Sequence, residues 1–198
     1  MSVENQFKHA VDLNNQGKYK KSFDIFSKLA VEDGHALSVL NIARMLLKGR
    51  GVKQDCEKAI GYFKILAEEP NCSKIQLEAQ FALGLIHQTG EGVKQDFKTA
   101  FDYYMQAAEQ GHIEAQNSLG ELYHEGKGVE QNYQEAFSWW SKAADQGDAN
   151  AQYYLGCMYH NGQGTEKDDD KAVEMLLKAA DQGHAESLKI LERSKVDD

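Results

Sequence analysis

Three histidines stand at near-equivalent places in the chain. His124 and His160 are 36 residues apart, and His87 falls one position before the matching site. Imidazoles on successive helices could ligate zinc, which needs three or four ligands converging at about 2 Å. No HxxxH or HExxH pattern puts two of them on one helical turn, so packed or solvated histidines and no metal are expected. His35, His112 and His184 each follow a glycine where a helix should start, which suits a structural role. Cys157 has His160 three residues on, yet a catalytic thiol also needs a stabilised oxyanion, and no third group is evident. A small, partly buried residue is the expected reading of Cys157. The run Asp168–Asp169–Asp170 lacks the spacing of a calcium loop and reads as a helix cap followed by charges that the helix dipole favours. The GEGV and GKGV loops lack the GK[ST] arrangement of a phosphate loop. Trp139–Trp140 could stack on bases or sugars, but aromatics recur at equivalent positions, which points to core packing. No catalytic residue and no cofactor are therefore assigned.

The elements that would position these groups recur with a fixed period. Copies of one pattern begin at Ala79, Ala115 and Ala151, 36 residues apart, and each reads as a helix, a Gly-containing loop and a second helix. A period of that size predicts stacked helical pairs. Gly84, Gly120 and Gly156 fall mid-helix, where Gly costs about 1 kcal/mol against Ala, so close helix–helix approach is expected there. Ala59, Ala100, Ala136 and Ala172 are the small residues facing them. Paired loop glycines (49/51, 90/92, 126/128, 162/164) permit left-handed turns. Asp55, Asp96, Asn132 and Asp168 should cap the second helices. At least one member of Tyr62–Phe63, Tyr103–Tyr104 and Trp139–Trp140 should be buried. The fourth copy breaks this series with Met175–Leu176, and its loop GTEKDDDK is expected to dock less tightly.

The chain reads as a single domain over 1–198. It comprises an opening helical pair (3–33), four repeats (36–69, 79–114, 115–150, 151–184) and a capping helix (185–195) with Leu188 and Leu191 inward. The opening pair is similar to a tetratricopeptide unit. Extra residues around 68–76 read as a surface insertion, with Pro70 stopping the helix before it and Ser73 with Gln76 as a capping box. The terminal Val-Asp-Asp is expected to fray. A formal net charge of −9 disfavours wholesale binding to nucleic acid or an anionic membrane. No apolar run suits a membrane helix, and the N-terminus lacks a basic start followed by an apolar block. Cys56, Cys72 and Cys157 form no CxxC, so a cytoplasmic setting is expected, although export by a route that leaves the N-terminus intact stays compatible.

The pattern A-Q-x-x-L-G-x-x-Y-x-x-G-x-G-V-x-Q-[DN]-x-x-x-A, followed by A-A-x-Q-G, resembles the Sel1-like repeat over roughly 36–186. The first copy departs from it, with Ala43 for Gly and Leu46 for Tyr. The resemblance implies an all-α, right-handed α/α superhelical solenoid of about eleven helices that serves as a non-enzymatic adaptor or scaffold for a protein or peptide. Distant relatives suggest one alternative, a hydrolase acting on cell-wall-like material; an exported bacterial factor that binds a host protein is a further alternative. The regularly paired cysteines of some secreted members are not matched here. Leu83, Leu119 and Leu155 form the packing set of the first helices. If those helices line the inner surface, the positions two before and two after each leucine turn to the concave side. They are Phe81 and Leu85, Asn117 and Glu121, and Tyr153 and Cys157, with Leu40 and Arg44 in the first repeat and Phe7 and Val11 in the opening pair. Leu47, Gln88, His124 and His160 lie one turn further. These residues are the candidate partner-binding set, with a partner held as an extended segment or a helix.

Overall fold

The computed structural model describes residues 2–69 and 73–194, with the side chains of 73 and 194 left aside. Its described residues form eleven α-helices and no strand. They fall into two compact units, Met1–Asp96 and Phe97–Asp198. The first holds α1 (Val3–Asn15), α2 (Tyr19–Asp33), α3 (Ala36–Lys48), α4 (Cys56–Glu68) and α5 (Ser73–Thr89). The second holds α6 (Phe97–Ala108), α7 (Ile113–Glu125), α8 (Tyr133–Asp145), α9 (Ala149–Asn161), α10 (Asp169–Asp181) and α11 (Ala185–Ser194). Within each unit every helix packs on the next in sequence. No described helix is long and apolar enough to cross a membrane. The expected stop at Pro70, Cys72, the Ser73 side chain and the fraying of 196–198 lie outside the described residues. Gln76 donates its amide to the Ala67 carbonyl, 3.0 Å away on the preceding helix.

In the first unit, α1 and α2 pair through small and aromatic residues. Ala10, Leu13, Phe26 and Leu29 are buried. Ser22, also buried, donates its hydroxyl to the Ala10 carbonyl at 2.7 Å, which satisfies both polar groups where the helices touch. Phe26, Phe63, Tyr104, Trp140 and Leu176 occupy one repeating position on the second helices, and all are buried. The expected packing set is equally firm: Leu83 and Leu119 are fully buried and Leu155 nearly so.

Three of the residues expected as caps, Asp55, Asn132 and Asp168, are seen to cap. Asp55 accepts from the Lys58 backbone N–H at 2.9 Å, Asn132 from Glu135 at 3.1 Å and Asp168 from Lys171 at 3.0 Å. At the first helices, His112 accepts from the Ala115 N–H at 3.3 Å, and His184 from that of Ser187 at 3.3 Å. His112 and His184 therefore act as side-chain helix caps, whereas the His35 ring meets the Ser38 hydroxyl at 2.8 Å and makes no capping bond.

Repeats are joined by the second glycine of each loop. A Cβ at Gly128 would come within 2.4 Å of the Phe97 carbonyl carbon, and one at Gly164 within 2.1 Å of the Tyr133 carbonyl oxygen. Gly51 meets the backbone of Tyr19 in the same way. Each loop thus lies on the first turn of the preceding second helix at a distance only glycine allows. The fourth loop is as closely placed as the third, which corrects the expectation of looser docking. Asp169 replaces an aromatic there but pairs with His160 at 2.7 Å and with Lys167 at 3.2 Å.

The last helix also differs from expectation. Ser187 is its fully buried residue, whereas Leu188 is 42% exposed. The physical reason lies in the repeat register. Ser187 takes the place of Ala115 and Ala151, whose small side chains let consecutive helices approach, and this turns Leu188 outward.

Glycines inside helices give opposite expectations. A Cβ at Gly120 would fall 2.5 Å from the Trp140 indole nitrogen, whereas Gly61 in α4 has nothing within 4 Å. Gly120→Ala should destabilise by about 1–3 kcal/mol through overpacking. Gly61→Ala should stabilise by up to about 1 kcal/mol through helix propensity. Urea unfolding followed by circular dichroism checks both signs.

Candidate partner-binding face

The first unit places its candidate residues unevenly. Leu40 and Leu47 are buried, at 3% and 7% exposure, and so belong to the core. Phe7 is half-buried, with its ring 5.6 Å from that of Phe26 and 4.9 Å from that of His35. Val11, Phe81 and Gln88 are half-buried, and Leu85 is exposed. Arg44 is exposed but paired with Glu78 at 2.6 Å, and Lys48 pairs with Glu91 at 2.8 Å. These ion pairs cancel the local positive charge and tie α3 to α5 and the loop after it. The backbone carbonyls of Leu47 and Gln88 accept from the loop residues Gln54 at 2.8 Å and Gln95 at 2.7 Å.

The second unit gathers more chemistry. Asn117 is nine-tenths buried on α7. Its Nδ2 donates to Asp148, the residue that caps α9 through the Ala151 N–H at 2.7 Å. The buried Asn117 Oδ1 has no partner among the described residues. Glu121 follows one turn later, half-buried and without an ion-pair partner among the described residues. Burial is the main cause that raises its carboxyl above the usual range. Glu125 adds to this, and Lys127, itself paired with Glu125 at 2.7 Å, opposes it. His124 sets its ring 5.2 Å from Tyr133 and 5.6 Å from Trp140.

Further along the unit, Tyr153 lies 4.7 Å from the His184 ring and 5.4 Å from that of Tyr154. Tyr154 stacks on Trp140 at 4.5 Å with an interplanar angle of 13°. Burial raises the hydroxyls of both tyrosines. Cys157 then adds to the rise at Tyr153, and Glu121 to that at Tyr154. Cys157 is a free, half-buried thiol, and burial pushes it up, opposite to what a nucleophile requires. His160 is exposed and bonded to Asp169. No group of three or more metal-ligating side chains forms among the described residues.

Some contributors were missed from the sequence. Tyr154 is off the two-before, two-after pattern, yet its hydroxyl senses the Glu121 charge from the preceding first helix. Gln116 and Gln152, both buried, form a ladder. Gln116 donates to the Ala108 carbonyl at 3.1 Å and accepts from Gln146 at 2.8 Å. Gln152 accepts from Gln182 at 2.8 Å and lies 3.5 Å from the Ala144 carbonyl. Their signal was a polar residue recurring beside the buried alanine, where an apolar one would be cheaper.

The family model described as Sel1 repeat matches residues 36–71, 77–112, 113–148 and 149–184. The chain belongs to the Sel1-repeat family. Its fold class is the all-α repeat solenoid, and Sel1 repeats commonly serve as protein–protein interaction modules. A Sel1 repeat protein from Oxalobacter formigenes is similar at 32% identity and a TM-score of 0.83, over 95% of this chain and 74% of that one. A protective antigen of uropathogenic Escherichia coli is similar at 28% identity and a TM-score of 0.81, over 93% of this chain. The chain spans only 39% of that antigen's length. The cysteine-rich protein B of Helicobacter pylori is similar at 25% identity and a TM-score of 0.52, over 70% of this chain and 96% of that one.

The raised Glu121 carboxyl has a consequence for stability. The folded state binds its proton more tightly than the unfolded state does. Stability from this group is therefore full below the unfolded pKa and is lost as pH rises through the folded one. Glu121→Gln should raise the urea midpoint at pH 7, and the gain should vanish at low pH, where the wild-type carboxyl is protonated. Urea titrations across the acid-to-neutral range measure it.

Proposed function

We propose that residues 1–198 work as one non-enzymatic adaptor domain that holds a basic segment of a partner protein on the faces of its first helices. The observation that carries this reading is Glu121, a half-buried carboxyl that forms no ion pair among the described residues, Lys127 acting on it while being paired with Glu125. Leaving a charge desolvated and unpaired is costly, and a lysine or arginine brought by a partner would relieve that cost. The surroundings suit such a guest. The buried Asn117 Oδ1, one turn earlier on α7, has no donor among the described residues. The half-buried Tyr153 adds an aromatic ring for a cation to meet, while one face of Tyr154 is covered by Trp140. The formal net charge of −9 favours approach of a basic segment. His124, Cys157 and His160 extend the same set of positions along α7 and α9. Leu85 and Phe81 in the first unit, with Phe7, Val11 and Gln88, supply apolar and polar contact positions. Leu40 and Leu47 hold their helix in place, and Arg44 is occupied by Glu78.

The test is fluorescence anisotropy with labelled peptides that carry Lys or Arg between apolar residues, alongside acidic peptides of the same length. Basic peptides should bind preferentially. Affinity should rise with pH as Glu121 ionises. Glu121→Gln and Tyr153→Ala should each weaken binding about tenfold, with helicity unchanged. Equal affinity of both variants and wild type for every peptide would refute this assignment.

A further inference from the structure

The third and fourth repeats differ at one place in the core. In the third, Trp140 packs over Gly120 and stacks on Tyr154. One period of 36 residues later the matching residues are Leu176 and Ile190. Leu176 reaches Gly156, to within 2.9 Å of a Cβ built there, but two aliphatic side chains do not fill the volume of two stacked rings. A cavity of about 350 Å³ remains, lined by Gly156, Cys157, Val173, Leu176 and Ile190 among others. Its mouth is open, since Val173 is 47% and Ile190 38% exposed. An apolar cavity of about 150 Å³ already suffices to take a benzene ring.

We propose that this slot receives an aromatic side chain from the basic partner segment, in the place an internal tryptophan would otherwise fill. This rests on the reading of the first-helix faces, since Cys157 and His160 belong both to that set and to the slot. The third repeat supplies the template for the guest: a flat ring against a helical glycine, with a second side chain on its other face. The formal net charge of −9 supplies the charge preference, so residues flanking the guest ring should be cationic. Asp169 lines the slot with its charge already met by His160 at 2.7 Å and Lys167 at 3.2 Å. Asp169 is also held ionised by its bonds from His160 and Lys167.

The probes are the tripeptides Lys-Trp-Lys and Lys-Ala-Lys, read by methyl NMR of Val173, Leu176 and Ile190 in the full chain. Lys-Trp-Lys should shift these methyls, with an affinity about tenfold or more above that of Lys-Ala-Lys. Leu176→Trp should fill the slot from within, raise the thermal midpoint and remove the methyl response. Val173→Lys, at the exposed rim, should weaken Lys-Trp-Lys by a similar factor without touching the core. Equal affinity for the two tripeptides, or an unchanged response in Val173→Lys, would overturn the proposal. Methyl shifts that follow protein dilution instead of added tripeptide would overturn it too, because a second copy would then be the occupant. Glu121→Gln separates the two readings. It weakens basic peptides at α7 if the face is right, whether or not the slot takes a ring.

Discussion

The chain depends on a backbone-to-backbone contact that tolerates no side chain. In three loops the second glycine rests on the backbone of the first turn of the preceding second helix, Gly51 on Tyr19, Gly128 on Phe97 and Gly164 on Tyr133, while Gly92 lies against the Cys56 side chain. The same residue must also adopt positive φ, +74° at Gly128 and +69° at Gly164. Two independent requirements thus fall on one atom, and only glycine meets both. A solenoid has no single core to hold its ends together, so its stability is a sum of repeat and neighbour terms. The loop glycine is one such neighbour term, and it sets how closely one repeat can approach the next.

Around that contact the remaining periodic residues satisfy what close approach leaves exposed. The helix starts are capped by Asp55, Asn132, Asp168, His112, Asp148 and His184. Gln116 and Gln152 carry hydrogen bonds from one helical pair to the next through the interior. A buried amide is expensive unless paired, and here each is paired to a neighbouring repeat, so it fixes register as well as adding stability. What this framework leaves free is a short list of irregular positions. Glu121 forms no ion pair among the described residues, and the Trp140 position becomes Leu176 in the fourth repeat.

Much of the framework was legible before the structure, because a period of 36 residues repeats every packing decision. Gly120 announced a close approach, and Trp140 lies against it. Asn132 and Asp168 announced caps, and both accept the expected N–H. Where the sequence misled, the cause was reading one residue without its repeat register. Leu188 looked like core by type, but Ser187 holds the register of the small buried residue and turns it outward. Asp169 looked like a loosened loop, yet Gly164 keeps the backbone contact regardless of the side chain that follows. The candidate face was less legible. Positions two before and two after a leucine share a face, but which of them are covered depends on the neighbouring helix. Leu40 and Leu47 are buried in this way, while Glu121 stays half-accessible. Tyr154 could not be placed by that rule, since its partners Trp140 and Glu121 come from other helices.

Comparison of Gly128→Ala with Gly147→Ala tests the central constraint most directly. Both glycines have positive φ, +74° and +91°, so both variants carry the backbone strain of a left-handed alanine. Only Gly128 has backbone within reach of the new Cβ, at 2.4 Å, while Gly147 has nothing within 4 Å. Urea unfolding of the two variants should show Gly128→Ala the more destabilised by at least about 1–3 kcal/mol, the cost of overpacking added to the shared strain. Equal loss in both variants would contradict the account and reduce the loop glycine to a matter of backbone conformation alone.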